Sequence, residues 1–447
     1  MEYIKLRRYL FLLPLHIFGL ITTPNFHRQA WKNEAHNIYT NFVWVFIALS
    51  LCAQWTSTFL YAIHDVSEFL QRFYESILLL LFFGELFVIK MRFHDVLELF
   101  HLQEHFYKIS NRNIHRKYVM MESIELAVVF VINTVTSLTM LIEPFLPISE
   151  RNIFLMTTIY GRKDPRKVLI SPVWEPSFID IDKDGYFILV FSLQILVILL
   201  GQIASMSLLM VVIIFPTFPA SQYEMLGEFV KLLGAEHRDG FGELIFYTDI
   251  ATGAYLTETQ MVHYRYQQDR ANLSKKEAAV KLKQWKEKSY PAFYLKQLVR
   301  RYQELEQIMM RYRRFLKTIS NIFLVPFVLA FILAFYQMAY MKHLPRYNCF
   351  KIVFEFLYTI FAEFHYTYTS ELMNSCNEMM VRALYQSRWY NCSPEVRKDV
   401  CIFLQSVQEA RHISFFKGAV VMTYPFFMKL IRLSFSFVNF LKITGQM

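Results

Sequence analysis

The stretch Asp180-x-Asp182-x-Asp184-Gly185 sets three carboxylates at alternate positions before a glycine, as in the first half of a calcium-binding loop. Such a loop closes with a bidentate Glu at its twelfth position, and here that position is Phe191. An acidic turn that sets Asp184 at the positive end of a following helix accounts for the same residues. No catalytic constellation accompanies it. The sequence has no Gly-rich phosphate loop, no G-x-S-x-G and no H-E-x-x-H, and its 13 His are scattered. Its five Cys (Cys52, Cys349, Cys376, Cys392 and Cys401) are odd in number and lack C-x-x-C spacing. The expectation is a protein that is not an enzyme and holds neither metal nor cofactor. The remaining chemistry lies in ionisable residues within apolar stretches: Glu355, Glu363 and His365 in one, Lys429 and Arg432 in another. Charges are costly against lipid, so both stretches should face protein or water.

These stretches belong to a set. The chain of 447 residues is 55% hydrophobic, with 44 Phe against 12 Gly, and its mean hydropathy is +0.26. A soluble chain of this length would carry more polar surface. Apolar runs cover 39–62, 69–89, 126–146, 186–215, 323–341, 350–369 and 418–443, seven in all. Each is close to or above the ~20 residues that cross a bilayer. The fourth is long enough to tilt or to extend beyond the membrane. An earlier apolar run at 9–21 is short, broken by Pro14 and His16, and lacks a signal-peptide cleavage site. It reads as an amphipathic or re-entrant stretch at the cytosolic interface.

The net charge of +10 is distributed unevenly. Segments 1–38, 90–125, 216–315 and 373–417 hold 33 Lys and Arg, against 9 in 64–68, 147–185, 342–349 and the tail from Lys442. Excess positive charge stays in the cytosol, so the N-terminus is inside and the C-terminus outside. The same bias explains the basic balance without nucleic acid. The glycosylation patterns Asn272-Leu-Ser274 and Asn391-Cys-Ser393 then fall on the cytosolic side and read as chance matches. The expected architecture is an all-α polytopic membrane protein, inverted relative to G-protein-coupled receptors. The last span reaches almost to the final residue, so no cytosolic tail is expected after it. The Asn-Pro-x-x-Tyr pattern of those receptors is also missing from it.

The chain then divides into a cytosolic segment 1–38, spans one to four in 39–215 with an outer loop 147–185, and a cytosolic extension 216–315. Spans five and six lie in 316–372, cytosolic anchor helices in 373–417 and the last span in 418–447. In the extension, Ser274 and Glu277 form a capping box for a basic helix to about Lys288 that carries Trp285. That helix has the character of a calmodulin target or a membrane-surface helix, and the solvated face of a packed bundle explains it as well. A second helix from about Phe293 carries Leu298, Tyr302, Leu305 and Met309 at helical spacing and runs on towards the fifth span. In the anchor region, one helix should end at Trp389-Tyr390, and Ser393-Pro394 should cap and start the next. Internal repeats and Gly/Pro-broken helices at matching positions, which would suggest a transporter, are not evident.

The order Ala383-x-Tyr385-x-x-x-Trp389-Tyr390, Arg397-Lys398, Arg411, Gly418, then a span ending Arg432-Leu-Ser434-Phe-Ser436-Phe437-Val-Asn-Phe440-Leu441 resembles the C-terminal signature of insect odorant receptors. The family is usually richer in Tyr where this chain has Phe435 and Phe437, and its usual Pro before the last span is missing. The related gustatory receptors carry Thr-Tyr, five apolar residues and Gln-Phe in the last helix. Here Thr423-Tyr424 leads into PFFMKLI with no Gln-Phe. The ending also differs from that of the obligate co-receptor, so the resemblance is to a ligand-tuning receptor.

The resemblance implies a subunit of a tetrameric, odorant-gated, non-selective cation channel in the plasma membrane of sensory neurons. Its partners would be a small volatile odorant, the lipid bilayer and the co-receptor in a heterotetramer, with a homotetramer as the alternative. The odorant would sit in the outer half of the bundle between spans two, three, four and six. There the sequence offers Phe73, Ser76, Ile77 and Leu80; Thr136, Ser137, Met140 and Leu141; Tyr186, Phe187, Val190, Phe191 and Gln194; and Phe350, Phe354, Tyr358 and Phe361. Aromatic faces with a few hydroxyls and one amide suit a dry pocket for an apolar volatile. The gate would lie in the last turns of the last helix, at Phe437, Phe440, Leu441 and Thr444, where apolar rings close a pore by dewetting. Four copies of Lys442 would repel cations. Either Lys442 points away or only one or two such subunits enter each tetramer. A gustatory-type channel would call for a more polar pocket than this Phe-rich one.

Overall fold

The structure is a computed structural model that describes residues 2–22, 30–106, 109–173, 183–250, 252–261, 280, 290–341 and 346–443. Long helices dominate it. The first, α1 (Glu2–Ile17), ends where Gly19 takes a positive φ of 67°. It is helical and buries Phe11 and Leu15 against the bundle. Next come α2 (Ala30–Leu60), α3 (Val66–Met91), α4 (Phe93–Phe106) and α5 (Arg112–Ile142). Local chemistry sets their starts. The Asp65 carboxylate caps α3 by accepting from the Glu68 amide at 2.8 Å. Asn111 caps α5 by accepting from the amides of Asn113 and Ile114 at 3.0 and 3.3 Å.

The outer connection holds a short helix, α6 (Glu150–Phe154), capped by Ser149, and a π turn over Leu155–Ile159. The helix α7 (Asp184–Lys231) has 48 residues, which at ~1.5 Å each spans about 70 Å. It therefore crosses the ~30 Å hydrocarbon layer and continues well into the cytosolic extension. Likewise α8 (Tyr290–Tyr340) joins the extension to the fifth span without a break, and α9 (Arg346–Gln386) carries the sixth span on into the anchor region. The anchor helix α10 (Pro394–Val407) and the last helix α11 (Tyr424–Ile443) complete the chain. Among the described residues, four helical stretches cross a membrane by length and hydropathy alone: Trp31–His64, Arg112–Phe145, Asp184–Lys231 and Asn321–Tyr340. Helices α3, α9 and α11 fall short of that measure because charged and polar residues interrupt their apolar runs. On α3 and α9 the charges are turned into the bundle, where Glu75, Glu85, Lys351, Glu355 and Glu363 are all buried.

Three sequence expectations, each at a helix end, are corrected. The fold is mainly helical as expected, with two small antiparallel hairpins beside the helices: β1 (Ile245–Thr248) with β2 (Tyr255–Thr257), and β3 (Ser414–Phe415) with β4 (Val420–Val421). The second lies where the last span was expected to begin, so α11 starts at Tyr424, not at 418. Gly418 has a φ of 96° there and Pro425 sits in the first turn of α11, which favours a turn followed by a fresh helix start. Helix α9 ends at Gln386, and Trp389–Asn391 form a separate 3₁₀ turn. Pro394 opens α10 as expected, but Ser393 makes no side-chain capping bond.

The cytosolic ends of α7, α8 and α9 pack with α10 into one bundle within the chain. Leu298, Tyr302, Leu305 and Met309 are buried there with Tyr223, Met380, Ala383 and Phe403. Burial pushes the Tyr302 hydroxyl up to about 12. Glu306 gathers Arg411 at 2.5 Å, Arg313 at 3.3 Å and the Tyr223 hydroxyl at 3.3 Å. The Arg301 guanidinium donates to the Phe106 carbonyl at 2.6 Å and to Gln222 at 2.7 Å. The basic stretch 274–288, with its calmodulin reading, lies outside the described residues.

Candidate functional site

A cavity of about 480 Å³ lies between α2, α3, α5, α7 and α9, at the end of the bundle that the charge bias assigns to the outside. Its walls are mostly apolar: Phe46 and Leu49 from α2, Leu78 and Phe82 from α3, Met140 from α5, Val197 from α7. The Tyr358 ring of α9 meets Phe82 edge-to-face at 5.6 Å. The polar groups near the walls are largely engaged with one another. Ser205 donates to Asn133 at 2.7 Å, and Asn133 donates to the Gln202 carbonyl at 3.1 Å. Such a chamber gives an apolar guest contact area without demanding hydrogen bonds.

A charged network crosses the outer end of the cavity. Lys351 donates to Glu75 at 2.9 Å and to Glu143 at 2.7 Å, with Glu355 at 3.9 Å. Arg72 donates to Glu68 and to Glu75, both at 2.7 Å. Loop residues close the rest. Ser171 donates to Gln54 of α2 at 3.0 Å, and Gln194 of α7 donates to the Ser171 carbonyl at 2.6 Å. Gln194 also accepts from the Ile170 amide at 3.0 Å.

Of the residues chosen from sequence, Thr136, Ser137, Met140, Val190, Gln194 and Tyr358 come together on the cavity. Phe73, Ser76, Ile77 and Leu80 do not. The wall of α3 is Glu75, Leu78, Leu79 and Phe82, two positions along. Two residues turn a helix by about 200°, so the chosen set faces the opposite side. There Phe73 meets Trp55 of α2 at 5.7 Å, and Ser76 hydrogen-bonds Thr58 at 3.1 Å. Tyr186 is exposed, and Phe187 stacks on Phe191, which meets Phe145 at 5.9 Å, all off the cavity. On α9 the cavity takes Lys351 and Glu355, while Phe354 lies beside it and Phe350 is 65% exposed. Charges cannot face lipid, so Lys351 and Glu355 claim the inner face, while Phe350 turns outward.

The contribution of α2 was not read from the sequence. The signal was there, because Ser50, Ala53 and Gln54 form a small and polar stripe in an otherwise apolar span. On α11, Leu430, Ser434 and Leu441 are buried against the chain, Phe437 is half-buried, and Phe440 is exposed. Leu441 therefore faces its own bundle and not a free surface. Lys429, Arg432 and Lys442 are exposed, and Thr444 lies outside the described residues. Asp184, the last acid of the calcium-like stretch, pairs with Lys167 at 2.7 Å. Asp180 and Asp182 lie outside the described residues.

A multi-pass helical bundle that closes an apolar chamber beneath a charged cap is the architecture of a membrane receptor for a small molecule. The family model described as 7tm Odorant receptor matches residues 65–435, and the chain belongs to that family. The fold is similar to the insect olfactory receptor OR5 from Machilis hrabei, with a TM-score of 0.66 at 12% identity over 99% of each chain. The same receptor in complex with eugenol gives a TM-score of 0.69 at 11% identity, covering 99% of this chain and 100% of that one. At such identities the likeness shows the fold alone. No curated protein matches the sequence.

Proposed function

We propose that the chain is the ligand-tuning subunit of an odorant-gated, non-selective cation channel. The observation that carries this is the 480 Å³ apolar cavity, held by five helices of an odorant-receptor fold. The OR5 complex with eugenol is consistent with a small volatile as the guest. Six of the proposed contact residues, from Thr136 to Tyr358, line it, and Asn133, Gln202 and Leu78 join them. The apolar walls favour a volatile over a polar tastant.

Helix α11 is the pore-lining element in this reading. It rests on α8 and α9 by one face and leaves Leu433, Phe435 and Phe440 exposed. A span with an open apolar face suits assembly around a shared axis. Phe437 and Phe440 remain gate candidates. Exposed Lys429, Arg432 and Lys442 would repel cations if repeated four times. This favours a heterotetramer with the co-receptor in the plasma membrane of sensory neurons.

The test is two-electrode recording in oocytes against volatile esters, terpenes and phenols. Odorant-evoked cation current that requires an insect co-receptor supports the tuning-subunit reading. Current from the chain alone would make it a homotetramer and place Lys442 off the pore axis. Surface-expressed protein answered only by charged or sugar ligands would refute the odorant reading.

A further inference from the structure

We infer that odorant enters the cavity sideways from the bilayer, through a window between α2 and α7, and not from the water above. The inference rests on the reading of the cavity as the odorant site.

The outer end is closed by polar bonds. Ser57 donates to the Pro172 carbonyl at 2.8 Å and Ser171 to Gln54 at 3.0 Å, which ties the loop to α2. The Gln194 bonds to Ile170 and Ser171 tie the same loop to α7. Beside this seam, Lys351 bridges Glu75 and Glu143. An apolar molecule descending from water would separate these partners and offer no hydrogen bond in return.

The side is open. Helix α2 packs on α3, whereas α7 packs on α3, α5, α8 and α9, and among the described residues α2 and α7 share no extensive interface. Two residues on the cavity rim show the gap directly: Leu49 of α2 is 65% exposed and Leu193 of α7 is 40% exposed. Ser50 and Ala53 behind Leu49 are small, so the opening is not filled from within. The window also faces the right way. Helix α11 sits on α8 and α9 and makes no extensive contact with α2. With α11 at the axis of an assembly, α2 lies towards lipid. The window therefore admits uncharged molecules that already partition into hydrocarbon, and the membrane concentrates them at its mouth.

The experiment uses the full chain in lipid nanodiscs, with 1-aminoanthracene as a fluorescent apolar probe and receptor-free nanodiscs as the blank. Association and dissociation rates are read by stopped flow. A barrier at the window is crossed in both directions, so Leu49→Trp or Leu193→Trp should slow kon and koff together, each several-fold and by more than either variant changes Kd. Leu49→Ala should speed both. Ser171→Ala, which loosens the outer seam, should leave both rates alone. Rim variants with unaltered rates, rim variants that change Kd alone, or faster entry in Ser171→Ala would each overturn lateral entry. Absence of saturable binding in the unmodified chain would overturn the odorant-site reading itself, and lateral entry with it.

Discussion

Lys351 holds the outer end of the bundle together, and its removal should be among the most damaging single changes in the chain. Its ammonium lies 2.9 Å from Glu75, 2.7 Å from Glu143 and 3.9 Å from Glu355, and it is 5% exposed. In Lys351→Met, the carboxylates of Glu75 and Glu143 lose the cation they share. Breaking a buried pair by deleting one partner costs about 3–5 kcal/mol, because the other charges stay buried. The two acids on the same lysine should then differ. Glu75→Gln disturbs two hydrogen-bonded ion pairs at once, to Lys351 and to Arg72, and should cost about 2–3 kcal/mol. Glu355 is beyond hydrogen-bond distance of Lys351, and one of its oxygens has no hydrogen-bond partner among the described residues. Glu355→Gln should therefore cost less than about 1 kcal/mol. The assay is thermal unfolding of purified protein in nanodiscs, with surface expression as a second readout. The double variant Lys351→Met/Glu75→Gln should lose about 1–3 kcal/mol less than the sum of its parts. Equal effects of Glu75→Gln and Glu355→Gln, or a Lys351→Met protein as stable as the parent, would refute this account of the cap.

Other consequences are simpler to read. Gly201 lines the cavity, and a Cβ there would meet only Phe83, at 3.9 Å. Gly201→Leu should therefore fold and intrude on the chamber, raising the half-maximal concentration for bulky odorants at least tenfold in oocyte recordings while sparing small ones. Gly234 has a φ of 75°, and its Cβ would lie 2.1 Å from the Arg388 carbonyl oxygen, so Gly234→Ala should cost more than about 2 kcal/mol and lower surface expression. Arg411→Ala removes the 2.5 Å partner of Glu306 but leaves Arg313 and Tyr223, so a loss of about 1–3 kcal/mol is expected in thermal unfolding. If Lys442 borders the pore, Lys442→Gln should raise single-channel cation conductance in co-expressed channels; unchanged conductance would place it away from the ion path.

The physical basis of what the sequence revealed is uneven. Helix positions were legible because apolar runs long enough to cross a bilayer have few other uses. Helix ends were not, since α7 and α8 continue through polar residues that favour helix as well as lipid-facing ones do. Facing was legible only where a rule forces it. Aromatic residues pack equally well against lipid, a neighbouring helix or a ligand, so Phe73 and Phe187 gave no reliable direction. Charged residues are different, because lipid excludes them. Glu75 on α3, with Lys351 and Glu355 on α9, points to the cavity wall, and Leu78 and Phe82 follow from Glu75 at three and seven residues along. Buried charges fix the rotation of α3, and its aromatic residues follow from that rotation. The same rule fails on α11, where Lys429 and Arg432 are exposed in the isolated chain. Charges on a span that its own bundle leaves uncovered require water or another protein surface, and a water-filled path shared between subunits supplies both.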